Sequence, residues 1–416
     1  MELVPGISAH FVQSKKFKTN KITIRFTAPL SLETVAGRML SASMLEAANK
    51  AYPTSQAFRR YLASLYGADI STSAYRRGQA HILDLTFTYV RDEFLSKKNV
   101  LTSRILELVK QTLFSPLVQD GAFEPALFEI ERKQLLASLA TDMDDSFYFA
   151  HKELDSLFFH DERLQLRYSD LRNSISNESP ESSYTCFQDA LKNDRIDFFF
   201  LGDFNEVEVK EWLRSFSFTG RQIDVKPQYQ QPYSNVLREG MVRKNVGQSV
   251  LELAYHCSTS YGDKHHLAMV VMNGLLGGFA HSKLFTNVRE NAGLAYTISS
   301  QLDLFSGLLR MYAGIDRKNR NQARKLMNHQ LLELKKGNFT DLEIEQTKEM
   351  IRRTLLLAQD SQTSLIERVY LNSLLEKSTS DFDSWVEKLN QVDKEAICKA
   401  ANSVRLQAIY FMEGIE

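Results

Sequence analysis

Polar and apolar residues alternate strictly along Lys21-Ile22-Thr23-Ile24-Arg25-Phe26, which predicts a half-buried strand. Ile82-Leu83-Asp84-Leu85-Thr86-Phe87 predicts another, more apolar and less strictly alternating. Between them, Glu33 to Leu65 has helical character. The second half follows the same plan. Gln248 to Tyr255 reads as a strand and His265 to Leu276 as a helix rich in small residues. A glycine-rich turn and a helix over Ser282 to Glu290 come next, and Leu308 to Ala313 is the strand that answers Ile82 to Phe87. Strands and helices mix without a regular βαβ beat, so the pattern favours α+β over a doubly wound sheet.

The two halves also end alike. A short helix over Tyr184 to Leu191 precedes Arg195 and an apolar strand closing on Gly202-Asp203. A short helix over Lys394 to Ala401 precedes Arg405 and an apolar strand closing on Glu413-Gly414. A repeat of roughly 210 residues is far too long for a solenoid unit and means duplicated domains. Residues 219–235 hold Gly220, Pro227, Pro232 and several glutamines with little apolar periodicity, which is linker composition. The expected architecture is two homologous α+β domains, 1–218 and 236–416, joined by that linker. Each is a mainly antiparallel sheet with helices packed on one face. Arg317 to Leu357 is charged throughout, but acids interrupt the bases, so it reads as a solvated helix pair.

Charge removes one class of function. Lys plus Arg and Asp plus Glu both total 51, and this balance argues against a nucleic-acid binder, which carries a basic excess. The start of the chain lacks the basic and apolar regions of a secretory signal, and no apolar run is long enough to span a membrane. Cys186, Cys257 and Cys398 show no paired spacing, so neither a disulfide framework nor a zinc knuckle is expected. The expected compartment is the cytoplasm.

The phrase Gly274-Leu275-Leu276-Gly277-Gly278, followed by Ser282-Lys283-Leu284-Phe285, Val288-Arg289-Glu290 and Gly293-Leu294-Ala295-Tyr296, resembles the pitrilysin (insulinase, mitochondrial processing peptidase) family. With the duplicated plan, the resemblance covers essentially the whole chain. It implies that the two domains form half of a clamshell. Active members carry His-x-x-Glu-His on a helix of the first domain: two histidines bind zinc and the glutamate activates the bound water. Here Gly37 matches the glycine that opens the family phrase. The motif positions then fall on Leu40, Ser41, Ala42, Ser43 and Met44, none of them a ligand. Glu46 nearby is one carboxylate without histidines, and Ala137 and Ser138 stand where the distal ligand belongs. The resemblance therefore implies no cofactor on this chain, and zinc on a homologous partner with an intact motif. In two-subunit bacterial relatives the metal-free chain offers an arginine and a tyrosine from its second domain. Their positions match Arg289 and Tyr296, which would bind peptide substrate and stabilise its transition state. With the empty metal motif, the overall likeness also suggests the Gram-positive insulinase-like pair, one member of which is associated with aminopentanol modification of elongation factor P.

Other candidates read more plainly. His256, Cys257, His265 and His266 cluster in sequence, but the adjacent His265 and His266 face different sides of a helix. Gly274, Gly277 and Gly278 lack the Lys-Ser/Thr of a phosphate cradle and read as backbone turns, with a weak alternative as a peptide contact. Asp142, Asp144 and Asp145 lack calcium-loop spacing. Phe198-Phe199-Phe200 reads as a buried strand. A second function of a different class stays open beside the accessory subunit: a catalytically dead peptide-binding or scaffold protein with no peptidase partner.

Overall fold

Thr19–Pro29 forms the first long strand, and its alternation works as the sequence predicts. Ile22, Ile24 and Phe26 enter one hydrophobic core, while Thr23, Arg25 and Thr27 are buried on the opposite face. The chain is a computed structural model, described over residues 1–96, 100–142, 144–223, 225–375 and 382–415, apart from the Asp142 side chain. Its residues divide into two compact units, neither a single stretch. The first comprises Met1–Ala140, Tyr168–Lys226 and Gln362–Tyr370; the second comprises Thr141–Arg167, Pro227–Ser361 and Leu371–Glu416.

The first unit holds β1 (Glu2–Val4), β2 (Ile7–Gln13), β3 (Thr19–Pro29), β4 (Asp69–Arg77), β5 (Ala80–Val90), the small ribbon β6 (Val118–Gln119) and β7 (Ala122–Phe123), and β8 (Arg195–Gly202). Its main sheet has the order β1-β2-β8-β3-β5-β4. Only the β2–β8 pair is parallel. The second unit holds β9 (Arg238–Lys244), β10 (Ser249–His256), β11 (Ala295–Asp303), β12 (Leu308–Ile315) and β13 (Arg405–Gly414). Read from β9, its order is β9-β13-β10-β12-β11, and only β9–β13 is parallel. Strand for strand this repeats β2-β8-β3-β5-β4, which is the duplication seen in sequence.

The principal helical layer lies on one face of each sheet, as expected. The stretch from Glu33 to Leu65 divides into helices Val35–Ala47 and Ser55–Ser64. Pro53 disfavours helix in the residue before it, and the Thr54 hydroxyl restarts the helix by accepting the Ala57 N–H at 3.1 Å. The charged stretch after Arg317 is the helix pair Arg320–Lys336 and Asp341–Ala358. Phe198, Phe199 and Phe200 lie buried in β8.

Each sheet also carries a helix on its second face, which periodicity did not reveal. In the first unit this is Gln362–Leu374, whose residues through Tyr370 group with that unit. Arg25 donates to Asp84 through Nε and Nη2 at 2.7 Å, and through Nη1 to Glu367 at 2.8 Å. Its guanidinium lies 4.3 Å over the Tyr370 ring. In the second unit the helix is Ser146–Phe158, capped by Asp145. His151 bonds Glu252, and Asp155 accepts from Arg310 and Arg167. These pairs explain how Arg25 and Glu252 sit deep in central strands: a buried charge persists when paired and hydrogen-bonded. Among the described residues no helix is long and apolar enough to cross a membrane.

Candidate functional site

The helix Val35–Ala47 carries the positions where the family resemblance places a metal motif. A Cβ on Gly37 would meet Cys186 Sγ at 2.6 Å, so glycine there lets the helix press against Pro180–Asn193. Leu40 and Met44 are buried packing residues, and Ala42 belongs to the hydrophobic core. The Ser41 hydroxyl lies 2.7 Å from Gly37 O and 2.6 Å from Ser183 O, tying the two helices together. Ser43 donates to Met39 O at 3.3 Å, closing on its own helix. Glu46 accepts from Thr72 N at 2.8 Å and Thr72 Oγ1 at 2.6 Å, so it anchors β4. Glu131, with its carboxyl held above the usual range by burial and by nearby Glu46, adds no imidazole. Ala137 and Ser138 are exposed, and Ser138 Oγ turns back to Leu135 O at 2.8 Å. These donors do not fit zinc, which needs three protein ligands of the His, Cys or carboxylate type. Among the described residues no group of three or more such side chains is placed to hold a metal.

Arg289 and Tyr296 lie on either side of a built turn. The sequence reads Ser282 to Glu290 as an ordinary helix, but Phe285–Asn291 is wound as a π-helix. The glycine phrase is wound the same way over Gly274–Gly278, where the sequence expects a turn. Close packing explains the need for glycine: a Cβ on Gly277 would meet Ser300 N and Leu284 Cδ1 at 2.7 Å, and one on Gly274 would meet Thr347 Cγ2 at 2.6 Å. Ser299 Oγ donates to Gly277 O at 3.0 Å, fastening this segment to β11. Such windings are rare and occur often at functional sites.

The second π-helix ends at Gly293, whose φ of +61° suits glycine. Gly293 N donates to Arg289 O at 3.1 Å and Leu294 N to Val288 O at 3.0 Å. Val288 and Leu294 are core residues and hold the turn down. The chain then enters β11, the edge strand, through a bulge: Ala295 pairs with Ile315, but Thr297 pairs with Gly314. The extra residue leaves both Tyr296 and Thr297 exposed, Tyr296 at 64%. Bulges re-aim side chains in this manner. The Arg289 side chain is 42% exposed, with Nε 3.6 Å from Glu290 Oε1 and Cζ 4.6 Å over the Phe285 ring. No hydrogen bond or ring contact joins Arg289 to Tyr296 among the described residues. The result is a guanidinium and a phenol presented outward from one short segment. Phe285 and Thr297 were missed in the sequence. The i,i+4 spacing of Phe285 and Arg289 was a readable signal for the former, whereas the bulge exposing Thr297 leaves none.

The remaining candidates are structural. His256 Nε2 bonds Gln231 O at 2.7 Å. Cys257 is buried, which pushes its thiol up to about 11. His266 packs on the Tyr261 ring at 4.6 Å. An open depression of about 440 Å³ lies beside the π-helix, lined by Asn287, Asn291, His329 and Glu333 among others. Asn287 and Asn291 each stand two residues from Arg289, so this depression opens on the far side of the helix.

Residues 177–351 match the family described as peptidase M16 inactive domain. The chain is similar to the "probable inactive metalloprotease YmfF" of Bacillus subtilis, 29% identical over 99% of this chain and 96% of that one. Among solved structures it is similar to a conserved protein from Enterococcus faecalis, 34% identical, covering 100% of this chain and 98% of that one with a TM-score of 0.94. A peptidase M16 inactive domain from Pseudomonas fluorescens shares the fold at 16% identity, covering 100% and 98% of the two chains with a TM-score of 0.79.

Proposed function

The chain belongs to the peptidase M16 family as an inactive homologue, and from that premise we propose that it is the non-catalytic subunit of a two-chain zinc peptidase. The family expected from Gly274 to Tyr296 is borne out, since that segment lies within the matched 177–351. In the proposed pair a homologous chain with an intact His-x-x-Glu-His supplies the metal, and this chain supplies Arg289 and Tyr296 to the bound peptide. The observation that carries the proposal is the contrast between two helices. Val35–Ala47 presents packing residues where ligands would stand, while Phe285–Asn291 and the bulge after it present two strong donors to solvent.

The chemistry suits those donors. A planar guanidinium can aim two converging N–H donors at one peptide carbonyl oxygen. A phenol O–H adds a third donor for the negative oxygen that develops when that carbonyl is attacked. Fixed donors of this kind are worth most where water is excluded, because they need no reorganisation at the moment of reaction.

The test is a native pull-down of the tagged chain from its own cells, assayed for zinc and for peptide hydrolysis beside the chain purified alone. A zinc-bearing companion, with hydrolysis only in the pair, is the expected result. Arg289→Ala and Tyr296→Phe should each leave folding intact and lower turnover by about a hundredfold. A chain that comes down alone, metal-free and inert, refutes the proposal and favours a peptide-binding scaffold.

A further inference from the structure

We propose that Phe285 is a positioning residue, the platform that sets the orientation of the Arg289 guanidinium; this rests on the role given to Arg289 above. An arginine on an exposed helix ordinarily samples many rotamers, and immobilising such a side chain costs free energy on binding. A donor fixed before substrate arrives avoids that loss. The structure supplies the fixing element. Arg289 Cζ stands 4.6 Å over the Phe285 ring, within cation–π distance. Glu290 flanks it, with Oε1 3.6 Å from Nε. The ring thus lies against the guanidinium carbon and the Glu290 carboxylate near Nε. Nη1 and Nη2 are left without a partner among the described residues and available to a ligand.

The spacing makes this contact. Residues four apart on a helix share one face and their side chains meet. Phe285 and Arg289 are such a pair inside Phe285–Asn291. Phe285 is itself held: it follows Leu284, which is buried against Gly277, and its N–H lies 3.4 Å from Ser282 Oγ. It is only half-buried, so its ring is spare of the main core.

Two readouts on the full-length chain separate this role from plain packing. In nitrogen-edited NMR of the isolated chain, Arg289 Hε is identified by its loss in Arg289→Lys. It should be shifted upfield by the ring in wild type and in Phe285→Tyr, and return to the position of a free arginine in Phe285→Leu. An Hε that does not move in Phe285→Leu overturns the platform. In the purified pair, with denatured β-casein as probe, Phe285→Leu should lower kcat about three- to tenfold with KM within about twofold. Phe285→Tyr should restore it, and Phe285→Leu should have no further effect in an Arg289→Ala background. Independent, multiplying losses overturn the positioning role. Unchanged turnover in Arg289→Ala instead refutes the accessory-subunit reading, and the Hε shift then decides the platform alone.

Discussion

His81 offers a quantitative test of the first unit's interior. It is fully buried on β5, and Arg38 Nε donates to its Nδ1 at 2.9 Å, which leaves the ring proton on Nε2. Arg38 Nη1 in turn donates to Asp194 at 2.6 Å. Burial, reinforced by the Arg38 charge, pushes the imidazole down from the ordinary 6.5 to about 3. The unfolded chain therefore takes up a proton as pH falls through 6.5, and the folded chain only near 3. Stability contributed by neutral His81 is complete above 6.5 and is lost on acidification between those values. The gap is worth about 5 kcal/mol at the acid limit, and about 2 kcal/mol of it is gone by pH 5. His81→Asn keeps an acceptor where Nδ1 stood and removes the titration. Urea unfolding of both proteins at pH 8 and pH 5 isolates the effect, because Asp194, held above the usual carboxylate range by burial, titrates in both. The wild type's advantage should shrink by about 2 kcal/mol between the two pH values. Parallel pH profiles would refute the assignment of a buried neutral histidine.

Gly277→Ala places a methyl 2.7 Å from Ser300 N and Leu284 Cδ1 and should cost about 1–3 kcal/mol in urea unfolding; a cost under about 0.5 kcal/mol would mean that β11 yields freely. Asp84→Ala leaves Arg25, whose side chain is 3% exposed, with Glu367 alone, and should cost about 3–5 kcal/mol. The double change Arg25→Met with Asp84→Leu should cost less than Asp84→Ala by itself, and the reverse order would contradict the buried-pair account. Combining Leu40→His, Ser43→Glu and Met44→His puts polar groups into packing positions, so about 2–5 kcal/mol should be lost and elemental analysis after dialysis should find little zinc. Stoichiometric tight zinc in a folded triple variant would show that the helix still fits a metal.

The duplicated sheets were legible because strand periodicity is short and strong. Ile22, Ile24 and Phe26 mark the core face of β3 whatever packs on them. The helix over the second face was not legible, for a physical reason. Periodicity says that one stripe of Ser146–Phe158 is apolar, not which sheet receives it. Nor does a lone Arg25 in an alternating strand announce that Asp84, Glu367 and Tyr370, far apart in sequence, will enclose it. At the site, the residue types of Arg289 and Tyr296 and the turn at Gly293 could be read directly. The π-winding could not, because four-residue and five-residue repeats of apolar positions differ little over so short a segment.

Several kinds of unusual backbone meet in one short stretch of the second unit. Both π-helical segments, the left-handed Gly293 and the bulge after Ala295 fall between Gly274 and Thr297. Packing accounts for part of this: Val288, Leu294 and Ile298 belong to the core, and Gly277 lies close against Ser300 and Leu284. They also bear on direction: Arg289 lies over Phe285 on one helix face, and the bulge leaves Tyr296 and Thr297 exposed together. On the helix Val35–Ala47, by contrast, the backbone is regular and Leu40, Ala42 and Met44 serve packing. That contrast between the two helices is the ground on which the proposed role of Arg289 and Tyr296 rests.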